Sequence, residues 1–482
     1  TGANNTAVGQ QALNANTTAA NNTAVGYSAL GANTTGTVNT AVGQGALQVN
    51  TEGAYNTAVG GTSLKCNTTG SNNTAVGKDA LFQNTTGATN TAVGNLALDA
   101  NTTGADNVAM GYSALTANTT AADNVAVGRQ ALNNNTTGAS NTAIGRSALA
   151  ANTTGTQNTA VGFCAMYSNT TGANNVAVGR CALKLNTTGA CNVAVGSFAL
   201  DSNTSGGCNT AIGRCALSAN TTASNNTAVG YLALDANTTG VCNVAIGRDS
   251  LAANTIASHN TAVGINSLCA NTEGSSNVAI GKNSLDANTT GANNVAIGLG
   301  AITTSIVASN NVAVGYAALG DTTTGSSNVT MGYLAACSNT TGDSNTVVGF
   351  EAFKDSTTGS NNTAFGRRAL WCNTTGYANT AIGQSAGRDN TTGCCNSTFG
   401  QNAGLSVSSG GNNLLLGYDA GRTGSPGGEI TTQSNRISLG NGSHTNAYIK
   451  IAWTVTSDLR DKTNFGTVPH GLDFVNQLEP VS

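Results

Sequence analysis

Apolar and polar residues recur along this chain with a period of 17. An Asn-(Thr/Val)-Ala-aliphatic-Gly block starts at Asn5, returns at Asn22, Asn39 and Asn56, and keeps step to Asn396 and Asn413, 25 copies in all. With each block Asn counted as position 1, position 4 is aliphatic or aromatic in every copy (Val8, Met110, Ile144, Phe365, Leu416). Position 5 is Gly from Gly9 to Gly417. Position 9 is mostly Leu, replaced by Gly in the last three copies, Gly387, Gly404 and Gly421. Positions 2 and 4 alternate with 1 and 3, which is the period of a strand. The flanking Gly and the Asn-Thr-Thr-Gly stretch at positions 12 to 15 are turn formers that supply positive φ or Asx-type bonding. Each repeat therefore predicts a short strand, a tight turn, a second short segment around Ala-Leu and a polar turn. Repetition without a slip predicts stacking of like on like, an all-β parallel solenoid with one rung per repeat and with Asn and Thr ladders along it. At ~4.8 Å per rung the stack would run roughly 120 Å.

Each rung offers few sizeable inward side chains, so the core of one coil is thin. Neighbouring chains are expected to share it, most simply as a homotrimer, side by side or intertwined. Composition alone could suggest a disordered polar tract, with charged residues at 8 %, aromatics at 4 % and 62 Gly. The strict aliphatic columns oppose that, because an unpacked chain has no reason to hold Val or Ile at fixed spacing. A net charge of −3 gives no ground for a nucleic-acid or anionic-membrane partner. There is no apolar run of membrane-spanning length, so no membrane insertion is expected. No signal peptide is seen, and the opening Thr1-Gly2, which matches the close of a repeat, reads as the start of a fragment.

Candidate chemistry along the repeats is sparse. Cysteines fall in variable columns; Cys164 and Cys181 share one, Cys191 and Cys208 another, so each pair would sit on neighbouring rungs, most simply as unbridged thiols. No Cys-x-x-Cys pair or interleaved His suggests zinc, and neither a metal nor a cofactor is expected. Gly77-Lys78 and Gly281-Lys282 lack the spacing of a phosphate loop. Position 6 is richer: Tyr27, Tyr112, Tyr231 and Tyr316 alternate there with Arg129 and Arg146, residue types that dominate contact energetics. They are candidates for contact with a glycan or protein receptor on a host surface, set against plain variation in a solvent-facing column. The Asn-Thr-Thr triplets match the N-glycosylation pattern, and are read instead as turn and ladder residues.

The block resembles the head repeats of trimeric autotransporter adhesins, as in Asn294-Val295-Ala296-Ile297-Gly298, although the repeat is longer here. That resemblance, over about residues 1–440, implies a trimer of left-handed β-rolls. After Asn413 the rhythm fails. Gly424-Ser425-Pro426-Gly427-Gly428 is inserted, and a last block is read from Asn435, 22 residues after the one before. Residues 1–421 are thus taken as the shaft, 422–454 as an irregular final rung and transition, and 455–482 as the start of a different, truncated domain. Within the last, Ser457-Asp458-Leu459-Arg460-Asp461-Lys462 and the closing Leu478-Glu479-Pro480-Val481 resemble the intramolecular chaperone domain of phage tail spikes and fibres. That family trimerises and folds its fibre and is then released by self-cleavage. The resemblance implies a dyad of Ser457 and Lys462, and at most a single-turnover cleavage rather than an enzyme.

Together these features point to a structural fibre: the shaft of a viral tail fibre or similar appendage on a virion or cell surface, serving host attachment. The alternatives are a bacterial cell-surface adhesin rod and an ice-binding solenoid. The last would want Thr at i and i+2, whereas Thr17 and Thr18 are adjacent and point to opposite sides.

Overall fold

The computed structural model describes residues 2–446. Twenty-six three-residue strands, from β1 (Thr6–Val8) to β26 (Ile437–Leu439), form one parallel sheet in which each strand pairs with the next along the chain. Thr6 lies against Thr23, Val176 against Val193 and Thr380 against Ser397, a constant offset of one repeat. This is the expected solenoid with 17-residue rungs. Each rung holds a single strand, and the segment around Ala-Leu is a run of turns. The solenoid forms one compact unit through Asn441.

The strand alternation resolves into faces. Positions 1 and 3 point inward, so the block Asn and Ala (Asn175, Ala177) are fully buried, together with Ala182 and Leu183 at positions 8 and 9. The aliphatic column at position 4 lies on the outer face: Ile144 is 41 % exposed, Ile246 40 % and Phe365 54 %. The core is consequently a file of alanines facing a file of leucines. Where one column shrinks, a neighbour grows. Thr330 and Ala336 make a small rung, and the next supplies Val347 and Phe353. At the C-terminal end Gly404 replaces the position-9 Leu, and a Cβ there would meet Thr398 Cγ2 at 2.6 Å and Leu415 Cδ1 at 2.9 Å, the larger position-3 side chains that fill the space.

The backbone departs from expectation at several columns, with positive φ in non-Gly residues at positions 7, 9 and 17 (Gln130 φ 58°, Leu132 φ 50°, Ser140 φ 59°). Position 9 carries a left-handed conformation in Leu itself (Leu30 φ 50°, Leu183 φ 52°, Leu319 φ 54°). That costs about 1–2 kcal/mol per non-Gly residue, offset by about 1.5–3 kcal/mol for a fully buried Leu. The Gly at position 15, by contrast, has no positive φ. Space is tight there, since a Cβ on Gly189 would run into the Gly206 carbonyl and Asn186 Oδ1, yet Ala121, Ala223 and Ala257 fill the same position in other rungs, where the backbone shifts to admit the methyl.

Two buried Asn ladders fix the rungs to one another. In the first, the Asn192 amide donates to Asn175 Oδ1 at 2.9 Å, and Asn192 Nδ2 donates to Asn175 Oδ1 and to the Gly206 carbonyl. In the second, at position 12, Asn186 Nδ2 donates to Asn169 Oδ1 at 2.8 Å and to the Gly189 carbonyl at 2.9 Å. Position 13 adds a hydroxyl ladder, Thr187 Oγ1 donating to the Thr204 carbonyl at 2.9 Å. A thin apolar core is thus supplemented by satisfied buried amides, which strengthen one another in a low-dielectric interior.

The position-12 ladder is broken where Ser305, Thr322, Ser356 and Val407 replace Asn. The acceptors left behind, Asn288 Oδ1, Asn339 Oδ1 and Asn390 Oδ1, and the hydroxyls of Ser305 and Ser356, are buried without a hydrogen-bond partner. Buried unsatisfied groups cost about 1–3 kcal/mol each. Ser305→Asn is therefore expected to stabilise its rung by about 1–2 kcal/mol, read as slower amide exchange across residues 294–311. Faster exchange in that variant would show that the neighbouring rungs have closed over the gap.

The final rung corrects the register read from sequence. Leu414 pairs with Ile437, an offset of 23, so Arg436 and not Asn435 occupies position 1. The Arg436 amide donates to Asn413 Oδ1 at 2.9 Å, while Asn435 stands in the position-17 column, accepting from Asn412 Nδ2. The six extra residues form a loop held by Arg422 on Asp419 (2.8 Å) and by Ser425 Oγ donating to the Asp419 carbonyl. It turns Ile430 inward against Val407, Leu415 and Ala420, giving the last rungs a small core of their own.

Candidate contact surface

Position 6 follows the invariant Gly, whose φ of +124 to +143° through most of the stack turns the strand end outward. Each position-6 side chain is thereby presented to solvent, and strict register places it over its counterpart on the next rung. Tyr27, Tyr112, Tyr231 and Tyr316 are all 45–49 % exposed, and Arg129 and Arg146 are exposed beside them.

The column brings some of these residues together. Arg129 lies 5.7 Å over the Tyr112 ring and Arg214 lies 5.9 Å over Tyr231. Arg146 covers Phe163 at 5.8 Å and Arg180 covers Phe198 at 5.3 Å. Tyr316, Tyr333 and Phe350 form a stack with centroids 5.2 Å apart, ended by Arg367 at 5.9 Å from Phe350. Tyr27 stands apart from these groups, between Gln10 and Gln44 of the same column. Phe163 and Phe350, which belong to the column, are absent from the reading of Tyr and Arg alone; counting every aromatic at position 6 finds them. Exposed cation–π pairs contribute about 0.5–1 kcal/mol each, enough to order side chains and too little to decide the fold. Because ring faces are taken up by neighbours, the column offers guanidinium donors and phenol hydroxyls outward rather than open aromatic platforms.

Elsewhere the described residues are chemically quiet. All twelve cysteines are unbridged. Burial, then the neighbouring Cys181, pushes the Cys164 thiol up, against the pull of Lys184, Arg146 and Arg180. Glu351 is held below the usual carboxylate range by Arg368, whose Nε donates to it at 2.8 Å, with Lys354 adding to the effect. Among the described residues no group of three or more His, Cys, Asp or Glu could hold a metal, and no helix is long and apolar enough to cross a membrane. An open groove of about 440 Å³ is lined by Gln11, Ser28, Gly31, Gln48 and Lys65, opened where position 10 is Gly31.

The Asn-Thr-Thr triplets are ladder elements. Asn186 Nδ2, the nitrogen that a sugar would modify, is buried with both hydrogens engaged. Thr at position 13 likewise gives its hydroxyl to the next rung, so the adjacent Thr pairs do not form a shared flat face. Ser457 and Lys462 lie outside the described residues. No protein-family model matches the chain, and no curated protein matches it in sequence.

Proposed function

We propose that the chain is the shaft of a homotrimeric fibre, on a viral tail or a similar appendage, that reaches a host surface and is matured by the chaperone-like segment beginning near residue 455. The observation that carries this reading is the outward aliphatic column. A column that is aliphatic or aromatic in all 25 copies yet partly exposed in each, about 40 % at Ile144, Ile212 and Ile246, is explained if neighbouring chains cover it. Burying the exposed part of one such side chain is worth on the order of 1 kcal/mol, and the stack multiplies that term rung by rung. The fold supplies length and stiffness, and its described residues carry no catalytic cluster. The resemblance at the C-terminal end adds a route to assembly, with Ser457 as nucleophile and Lys462 as the base that takes its proton.

Native mass of the protein made from its complete reading frame tests this. A species of three chain masses is expected, collapsing to single chains when Val178→Asp, Val195→Asp and Ile212→Asp are combined. Release of a C-terminal fragment is expected in wild type and not in Ser457→Ala. A monomeric wild-type rod would sink the trimer, and fragment release unaffected by Ser457→Ala would remove the dyad.

A further inference from the structure

We propose that the position-6 stripe from Arg146 to Lys282 is a track for a linear acidic polysaccharide that carries one anionic group per disaccharide. This names the partner of the host-contact surface proposed above and rests on that reading.

The pattern that carries it is a second period within the first. Arg146, Arg180, Arg214, Arg248 and Lys282 follow one another at intervals of 34 residues, a cation on every second rung, and all are exposed. Strands β9 (Thr142–Ile144) to β17 (Val278–Ile280) keep the same one-repeat register through this stretch, so the interval in space is constant. Two rungs measure roughly 9.6 Å on the spacing of adjacent strands, which matches the advance of one disaccharide along an extended β-linked chain. The rungs between carry uncharged Phe163, Ser197, Tyr231 and Ile265.

Charge is segregated to suit such a ligand. No acidic residue occurs at position 6 in any copy, while these five cations with Lys78, Arg129 and Arg367 make eight of the 18 Lys and Arg of the chain. On one flank is the Gly column, bare of side chains. On the other, position 7 is uncharged from Ser147 to Asn283 except for Asp249, which pairs with Arg248 at 3.3 Å and weakens that one station. Three of the guanidinium groups are already placed: Arg146, Arg180 and Arg214 lie on Phe163, Phe198 and Tyr231. Such pre-ordering lowers the entropy lost when a planar fork takes a carboxylate or sulfate. A single exposed ion pair contributes little, but regularly spaced stations on one rigid rod engage one polymer together, and avidity multiplies their weak affinities. Nucleic acid fits less well, since each strand of a duplex carries a phosphate roughly every 3.4 Å, nearly three charges for each cation here.

The test uses the whole chain and four probes: a hyaluronan oligosaccharide with one carboxylate per disaccharide, polygalacturonate with one per ring, a neutral β-linked glucan oligosaccharide, and single-stranded DNA. Hyaluronan is expected to bind in low salt and to be released as salt rises, and the neutral glucan is expected not to bind. Combining Arg146→Ser, Arg180→Ser and Arg214→Ser should weaken hyaluronan by about tenfold or more with unchanged protease resistance and only a small drop in thermal midpoint from the lost ring contacts, and Lys at the same three positions should restore part of the loss. Unchanged binding by the Ser variant overturns the proposal, as does binding of DNA or polygalacturonate as tight as that of hyaluronan. Rods of trimeric mass that ignore hyaluronan would remove the track alone, whereas chains that form no such rods would remove the fibre reading itself.

Discussion

Gly179→Ala is expected to break the shaft at that rung, while Gly61→Ala leaves it intact or slightly more stable. Gly179 sits at φ +133°, and an added Cβ would lie 2.6 Å from the Gly196 carbonyl oxygen and 2.7 Å from its carbon. Both are backbone atoms of the next rung and cannot swing aside. Strained backbone of this kind costs about 1–3 kcal/mol before any clash, and relieving the clash means prising two rungs apart and weakening the strand pairing there. The sum is expected to exceed about 4 kcal/mol, the range reached by few single substitutions. At Gly61 the backbone lies outside the positive-φ region and an added Cβ meets nothing within 4 Å, so a gain of about 0.4–1 kcal/mol from a stiffer unfolded chain is expected. Limited proteolysis separates the two: a cut confined to residues near 175–200 in Gly179→Ala, and a wild-type pattern in Gly61→Ala. An uncut, fully protected Gly179→Ala shaft would mean that rungs slide apart more cheaply than the packing indicates.

Asn175→Ala should be the next most damaging change. Asn175 Oδ1 accepts from the Asn192 amide at 2.9 Å, and Asn175 Nδ2 donates to Asn158 Oδ1 and the Gly189 carbonyl. Removing the side chain strands the buried Asn192 amide and deprives Asn158 Oδ1 of one donor. Gly189 keeps its bond from Asn186. Two compromised buried groups and a void give an expected loss of about 3–5 kcal/mol. In a stack where each rung touches only its neighbours, that loss stays local. Hydrogen exchange should therefore speed up in the rungs around Asn175 and remain unchanged near Asn39 or Asn345. A uniform acceleration along the whole chain would show that the solenoid unfolds as one cooperative unit.

The fold was legible in the sequence because its repeat is strict and its turn residues recur at fixed positions. The same strictness concealed which side of the strand is inside. Val, Ile and Phe at position 4 are more apolar than Ala at position 3, so burial by hydrophobicity alone assigns the core to the wrong column. What decides is the partner across the interior: where Leu183 fills position 9, Ala177 is buried opposite it and Val178 is left 37 % exposed. The left-handed Leu at position 9 was equally hidden, since propensity allots positive φ to Gly, Asn and Asp. Only the substitution by Gly387, Gly404 and Gly421 hints at it. Of the contact column, the outward placement was readable from position, while the pairing of Arg180 with Phe198, one column over, depends on side-chain reach between rungs. The one-residue error at the final block arose because Asn435 imitates the block Asn, and the strand pairing of Leu414 with Ile437 resolves it.

The exchange of bulk between positions 3 and 9 divides the shaft into two kinds of territory. From β2 (Thr23–Val25) to β15 (Val244–Ile246) nearly every rung offers the same Ala-and-Leu surface above and below, so a rung can be lost or duplicated by recombination within the repeated gene and the new neighbours still fit. Toward the C-terminal end this freedom disappears, because Phe353 needs the small Ala336 before it and Leu415 needs the vacancy at Gly404. Reach is thus heritable in whole steps at one end of the molecule, like a ladder lengthened only from its uniform section, while the order of the last rungs is locked.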